Sequence, residues 1–186
     1  GTAYAVARPA AGMMRDFMAQ ETAQANMRIS FLDAAGGVGK AFETITKQAG
    51  ALGAALPGTT TDFYNLASVL KQQGLSDTTI AGGALTSAAN LGALFEMQPQ
   101  AAGEFIAKFM EARGLKDDEI SAASDLTQRA RFAFGMQPAD MMQSMKYDAP
   151  TANALGLGGL KSTKELLAIQ GIGASAGLEG ASFGSN

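Results

Sequence analysis

The residues with the clearest potential for chemistry are three consecutive carboxylates, Asp117, Asp118 and Glu119. Divalent cations such as calcium take oxygen ligands, so this cluster is a candidate metal site. It lacks the spacing of a calcium-binding loop, and no second acidic cluster lies near it in the sequence. We favour the alternative that it forms the solvated first turn of a helix, where carboxylates stabilise the positive end of the helix dipole. No metal ligands are therefore assigned.

Two glycine-rich segments are candidates for phosphate binding. Gly36-Gly37-Val38-Gly39-Lys40 partly matches a phosphate-binding loop, which follows a strand and places a serine or threonine after its Gly-Lys pair. Here Ala41 takes the serine or threonine position, and a helical pattern precedes the glycines. We interpret this segment as a linker between helices, and Gly156-Leu157-Gly158-Gly159 in the same way. No cofactor site is predicted.

Histidine and cysteine are both absent from the chain. Their absence excludes disulfides, thiolate zinc sites, cysteine nucleophiles and every histidine-dependent triad. Carboxylate or lysine chemistry stays open, but the usual proton carrier at neutral pH is missing. We therefore expect no catalytic residues.

Composition limits the class of protein. The chain has 186 residues, 47% of them hydrophobic, and a net charge of -3. This length and hydrophobicity predict one folded domain, with or without a small appendage, and argue against intrinsic disorder. No apolar run approaches the roughly 18 to 20 residues of a membrane span. The acidic balance argues against nucleic-acid binding. The chain begins with Gly1 and reads as a piece of a longer protein.

The elements predicted to position these residues are all helices. Apolar residues recur at helical spacing, while glycine and proline fall mostly between the periodic segments. No stretch alternates apolar and polar residues as a strand would. The sequence thus predicts an all-α fold without a sheet, a compact module of paired helices. The predicted helices are 11–35, 40–56, one between Thr59–Thr61 and Gly74, 77–96, 99–114, 117–134, 138–149 and 164–174.

A weak repeat of about forty residues lies in the middle of the chain. Its motifs are Gly74-Leu75-x-Asp77-x-x-Ile80, which recurs from Gly114, and Phe95-x-Met97-Gln98-Pro99, which recurs from Phe134. Glycine and proline at helix ends can produce chance matches, but two coupled matches favour a real repeat of helical hairpins. We expect two parts: residues 1–58 with two long helices, and a helical module over residues 59–186 that contains the repeat.

Two kinds of helix face leave the interpretation open. Methionine-rich faces, which adapt to varied partners, could pair with other copies of the chain or with a chaperone. Ordinary core packing is the interpretation we favour for them; the residues are Met13, Met14, Met18, Met141, Met142 and Met145. The small residues from Ala49 to Leu56 indicate either a self-association seam or a tight core contact. The core is expected to contain Phe63, Leu66, Leu70, Phe105, Ile106, Phe109, Leu126, Phe134, Leu166 and Leu167.

A series of short motifs follows in order over about residues 59–186. They are Thr59-Thr60-Thr61-Asp62, Leu66-Ala67 with Leu70-Lys71, Gly74-Leu75, Phe134-Gly135-Met136, the run from Met145 through Tyr147-Asp148-Ala149-Pro150 to Gly156, Thr163-x-Glu165-Leu166-Leu167-Ala168, and Gly177-Leu178-Glu179-Gly180-Ala181-x-Phe183-Gly184. In this order they resemble the core region of phage tail tape-measure proteins. Two short stretches differ from the family's usual sequence: Ala181-Ser182-Phe183 and Ser185-Asn186.

The resemblance implies a structural function. A tape-measure protein is a long helical chain inside the tail tube, and its length sets the length of the tail. The implied partners are tail assembly chaperones and the tail tube protein, and self-association is expected. The implied location is the lumen of the tail tube in the virion, and the host cytoplasm during assembly.

Two other classes of function remain as alternatives. One is a helical-repeat scaffold or adaptor unrelated to phage tails. The other is an enzyme such as a peptidoglycan hydrolase, because some tape-measure proteins carry such domains. A lytic transglycosylase needs a glutamate in a cleft flanked by aromatic residues. Glu104 and Glu165 lack that setting and the chain has no tryptophan, so we expect no enzymatic activity.

Overall fold

The computed structural model describes residues 3–135, and beyond them residues 159, 161, 163–165 and 168. Within this part every regular element is helical, and one isolated bridge joins Leu32 to Val38. The predicted all-α class is confirmed. The elements are α1 Ala3–Ser30, α2 Ala41–Ala55, α3 Thr60–Gln72, α4 Asp77–Thr79, a π-helical segment Ile80–Ala84, α5 Leu85–Leu94, α6 Pro99–Arg113 and α7 Ile120–Phe134. The helix predicted over 138–149, and most of the one over 164–174, lie outside the described residues.

The start of α3 shows how closely local signals fix a helix boundary. The Thr59 side chain accepts a hydrogen bond from the Asp62 N–H, and the Asp62 carboxylate accepts one from the Thr59 N–H at 2.7 Å. This reciprocal capping box satisfies two N–H groups that the helix itself cannot pair. Pro57 and Gly58 stand between α2 and this cap. The predicted boundary is therefore confirmed, with Thr59 as the capping residue.

Helix α1 differs from the prediction at both ends. It begins at Ala3, not near residue 11, and it ends at Ser30, not at Ala35. Its end has a clear cause, because the Asp33 carboxylate accepts hydrogen bonds from the N–H groups of Ala35 and Gly37 at 2.8 and 2.9 Å. A short side chain that bonds to nearby backbone in this way competes with helix formation.

The helix predicted over 77–96 is interrupted by the π-helical segment. Gly83 has a φ of 146°, outside the helical region and accessible mainly to glycine. A Cβ at this position would lie 2.5 Å from the Ser121 Oγ, so the segment also approaches α7 closely. The weak point at Gly82-Gly83 thus becomes a break that lets α5 lie against α7.

Three turns after helices share one hydrogen-bond pattern. The N–H of Leu75 donates to the Leu70 carbonyl, that of Met97 to Gly92, and that of Leu115 to Met110, each five residues back. This pattern needs a left-handed residue just before the donor. Gly74 and Gly114 fill that position in two turns, but Glu96 fills it in the third with a φ of 53°.

Replacing Glu96 by glycine should therefore stabilise the fold. A left-handed conformation costs a residue with a Cβ about 1 to 2 kcal/mol, and glycine avoids this cost. Part of the gain in stability is offset because glycine also makes the unfolded chain more flexible. We expect Glu96→Gly to raise the free energy of unfolding by about 0.5 to 1 kcal/mol, measured by urea denaturation. Glu96→Ala loses the same charge but keeps the Cβ, so it should gain less. Equal gains for both variants would contradict the assigned strain.

Helix α3 lies at the centre of the packing and contacts α1, α2 and α6, while α5 packs against α6 and α7. The core prediction is confirmed for five residues, which are buried, and two more are half-buried. The buried ones are Phe63, Leu66, Leu70, Ile106 and Phe109, and the half-buried ones are Phe105 and Leu126. The side chains of Phe134, Leu166 and Leu167 lie outside the described set. Residues of α1 and α2 share this core, among them Met27, Phe42 and Ile45.

A close approach between α3 and α6 occurs at Gly103. A Cβ at Gly103 would lie 2.6 Å from the Val69 Cγ1 and 3.3 Å from the Leu66 Cδ1. Both distances are shorter than ordinary van der Waals contact. Because Val69 is branched and buried, it has little room to move aside.

Gly103→Val should accordingly lower the free energy of unfolding by about 1 to 3 kcal/mol, the usual cost of overpacking. The same substitution at Gly50 is a matched control, because a Cβ there meets nothing within 4 Å. Gly50→Val should be neutral or slightly stabilising, since glycine is the poorer helix former. Denaturant titration of the two variants compares them directly. Similar losses at both positions would contradict the tight α3–α6 contact.

Candidate functional surfaces

The acidic cluster lies in the turn before α7, because that helix begins at Ile120 and not at Asp117 as predicted. Asp117 and Asp118 are exposed, and the Glu119 carboxylate accepts a hydrogen bond from the Lys116 N–H at 2.9 Å. In the described part of the chain, no three acidic side chains are placed to share a metal ion. The Glu119 carboxylate thus stabilises the turn that leads into α7.

The glycine-rich segment before α2 is a linker between α1 and α2. Its shape depends on Asp33, which accepts the Ala35 and Gly37 N–H groups, and on the bridge between Leu32 and Val38. The Gly37 N–H, which a phosphate would need, is thus already bonded within the turn. Of the second glycine-rich segment only Gly159 is described, and its carbonyl accepts the Thr163 hydroxyl at 2.9 Å.

Among the described residues, neither glutamate considered for hydrolysis lies in a catalytic arrangement. Glu104 is half-buried on α6 and accepts a hydrogen bond from Gln100 at 2.6 Å, while Glu165 is exposed. An open depression of about 470 Å³ lies between the α3–α4 turn and α6. Ser76, one of its polar residues, caps α4 by accepting a hydrogen bond from the Thr79 N–H. The depression is lined by Gln73, Gly74, Leu75, Ser76, Thr79, Ala107, Lys108, Met110, Glu111 and Asp117.

One charged contact between helices was not predicted from the sequence. The Lys71 ammonium lies 2.5 Å from an Asp77 carboxylate oxygen and 5.6 Å from the centre of the Phe31 ring. It therefore ties the end of α1 to α3 and to the start of α4, through an ion pair and a cation–π contact. The six-residue separation of Lys71 and Asp77 crosses a turn, so helical spacing gave no signal for it. By contrast, the ion pair between Lys47 and Glu43 is exposed to solvent. The hydrogen bond and the charge of Lys47 hold the pKa of Glu43 below its ordinary value. Exposed pairs of this kind add little to stability.

The methionine face of α1 is the most unusual surface. Met13, Met14 and Met18 are exposed, as is Phe17 between them. The core-packing interpretation that we favoured is therefore wrong for these three methionines, because the helix projects past the body that buries its second half. Met27, two turns further on, is fully buried. Met141, Met142 and Met145 lie outside the described residues.

The small-residue face of α2 is a tight internal contact. Ala49 is fully buried, and a Cβ at Gly53 would lie 2.7 Å from the Thr60 backbone nitrogen. The first residue of α3 therefore sits directly on α2. Of the two interpretations left open for this face, the structure supports the core contact.

No helix of the described residues is both long enough and apolar enough to cross a bilayer. The described residues thus form an all-helical body, and its first helix exposes several large apolar side chains. Comparison with known proteins identifies the family. Residues 46–186 match the family of phage-related minor tail proteins, and since this is most of the chain, the chain belongs to that family.

Over 85 residues the chain is 34% identical to the tape measure protein of Pneumococcus phage Dp-1. This match covers 46% of the chain but only 7% of that relative. No solved structure matches the chain. The resemblance to phage tail tape-measure proteins is thereby confirmed, and the family is one of phage tail proteins.

Proposed function

We propose that this chain is a folded assembly module of a tape-measure protein and contributes to tail assembly and tail-length determination. The observation that carries the proposal is the family match over residues 46–186, joined to similarity with a named tape measure protein. The match favours this role over a scaffold unrelated to phage tails. The module is proposed to be non-enzymatic, with residues 59–186 as the tape-measure core-like part and residues 1–58 packed onto it.

The compact packing refines the proposal. An extended α-helix rises 1.5 Å per residue, so its length measures distance directly. Here six turns or breaks fold the described chain back on itself, and α1, α2 and α6 all bury residues against α3. Stretching this region into a single helix would expose those buried side chains to water, at a cost proportional to the apolar area. The module is therefore proposed to act as a folded unit on the longer chain, and not as the ruler itself.

The proposed partners follow from the same role. Tail assembly chaperones would bind the module in the host cytoplasm, and tail tube subunits would then polymerise around the protein and enclose it in the tube lumen. The net charge of -3 fits passage of DNA through the same tube, since the chain does not attract phosphates.

A length-preserving substitution in the parent gene tests this function. Leu70 is fully buried in α3, so Leu70→Asp places a carboxylate in the core and should unfold the module. We expect tail numbers to fall at least about tenfold by electron microscopy, because the fold is lost while the residue count stays the same. Asn65→Asp adds the same charge at an exposed site of α3 and should leave assembly normal. Normal tails with Leu70→Asp, once the purified variant is shown to be unfolded, would contradict a requirement for the folded module.

A further inference from the structure

A second apolar stripe runs along α1 and onto the turn just after it, separate from the residues that face the core. Successive residues of an α-helix are about 100° apart, so four exposed apolar residues of α1 fall within about 60° of one another. Thr22 lies beside them, and its hydroxyl donates to the Met18 carbonyl of its own helix at 2.8 Å. Its helical part, from Met14 to Ile29, is about 22 Å long at 1.5 Å per residue, and Leu32 extends it into the turn. We call these residues the outer stripe: Met14, Met18, Thr22, Ala25, Ile29 and Leu32.

The outer stripe faces away from the body of the protein. The buried residues of α1, which are Ala23 and Met27, are centred about 170° from it around the helix axis. Met14 is 65% exposed, Met18 60%, Ile29 65% and Leu32 42%. The stripe is therefore open to a second helix on the side of α1 away from the body.

We propose that the outer stripe joins two copies of this chain, which pair through α1 in antiparallel orientation. With the two-fold axis at Ala25, the alanine of one copy meets the alanine of the other, and Met18 meets Leu32 of the second copy. The small side chain at the crossing lets the two helices approach closely. This pairing goes beyond the proposed function and does not depend on it.

Charge selects the second copy and its direction. Glu21 and Arg28 lie seven residues apart on one flank of the stripe, so they point in nearly the same direction. In the antiparallel pair each Glu21 faces Arg28 of the second copy, which gives two attractive contacts. A parallel pair would instead set Glu21 beside Asn26 and Arg28 beside Asp33. The Asp33 carboxylate already accepts two N–H groups of its own turn.

Sedimentation velocity on the 186-residue chain over a range of concentrations measures the association. The contact is short, so we expect a weak dimer that forms as concentration rises. Ile29→Glu places a charge in the stripe and should leave the chain monomeric. Thr44→Glu, at an exposed site of α2, should dimerise like the parent chain. A chain that stays monomeric at every concentration, or a dimer that Ile29→Glu leaves unchanged, overturns the proposal.

A charge exchange tests the direction of pairing. Glu21 and Arg28 have no charged residue three or four positions away within α1, so reversing them disturbs no ion pair inside the helix. Glu21→Arg or Arg28→Glu alone sets like charges together twice and should weaken the dimer about tenfold at low salt. The double variant Glu21→Arg/Arg28→Glu should restore it. Failure of the double variant to restore association overturns the antiparallel register.

Cysteine cross-linking tests the same register by distance, because the chain contains no cysteine of its own. A mixture of Met18→Cys chains and Leu32→Cys chains should form the mixed disulfide under mild oxidation. Met18→Cys alone should form little disulfide. The reverse result, with Met18→Cys linked to itself and no mixed product, shows parallel pairing and overturns the proposal.

Discussion

Replacing Phe109 by alanine should lower the free energy of unfolding by about 3 to 5 kcal/mol, the usual cost of removing a buried phenylalanine. Phe109 is only 4% exposed. Its ring stacks on Phe105 at 5.9 Å with an interplanar angle of 6°, and Phe105 meets Phe95 edge-on at 6.0 Å. The truncation would open a cavity beside α6. It would also remove an aromatic pair, whose loss adds to the loss of stability from reduced burial. Urea denaturation followed by circular dichroism measures the change.

Phe17→Ala is the matched control for this truncation. Phe17 is 61% exposed on α1, so the same atoms are removed from a site that buries little of them. Surface substitutions of this kind usually change stability by less than about 0.5 kcal/mol. A loss below about 1 kcal/mol at Phe109, or equal losses at both positions, would show that Phe109 does not lie in a packed core.

The helix boundaries that could be predicted depend on contacts within a few residues. Thr59 with Asp62, Pro99 at the start of α6 and Gly114 at its end act through local backbone geometry, and the structure has helix ends there. The end of α1 was missed because Asp33 bonds to Ala35 and Gly37, and helix propensity gives no sign of that competition.

The left-handed turn at Glu96 has a counterpart elsewhere in the sequence. In the predicted repeat, Phe95-Glu96-Met97 corresponds to Phe134-Gly135-Met136, and Gly135 has a φ of 61° against 53° for Glu96. A glycine in one copy therefore marks the left-handed position in the other. Such a comparison predicts backbone conformation where residue preference alone fails.

What covers a given helix face could not be predicted. The spacing of Met13, Met14 and Met18 indicates an apolar face equally for a helix in the core and for one that projects from it. Likewise, glycine is a poor helix former, so Gly103 is unfavourable in α6 by residue preference alone. Its presence there is explained by the close approach of Val69. Both facts depend on which elements meet in space, and helical periodicity carries no information about that.

The second large effect concerns the tail itself. Deleting residues 59–186 in frame from the parent gene removes 128 residues, which as one extended helix would span about 190 Å. Because α3 to α7 fold back on one another, we expect a much smaller shortening, or failure of assembly through loss of a folded unit. A deletion of equal size in an extended helical part of the parent protein is the control, and it should shorten the tail by the full amount.

Tail length and tail number in the 59–186 deletion, counted by negative-stain electron microscopy, test the central claim most directly. The compact module predicts either tails shortened by far less than about 190 Å or very few tails. A clean shortening of about 190 Å would contradict the compact module and assign these residues to the extended ruler. Normal numbers of tails at normal length would contradict any measuring or assembly role for this segment.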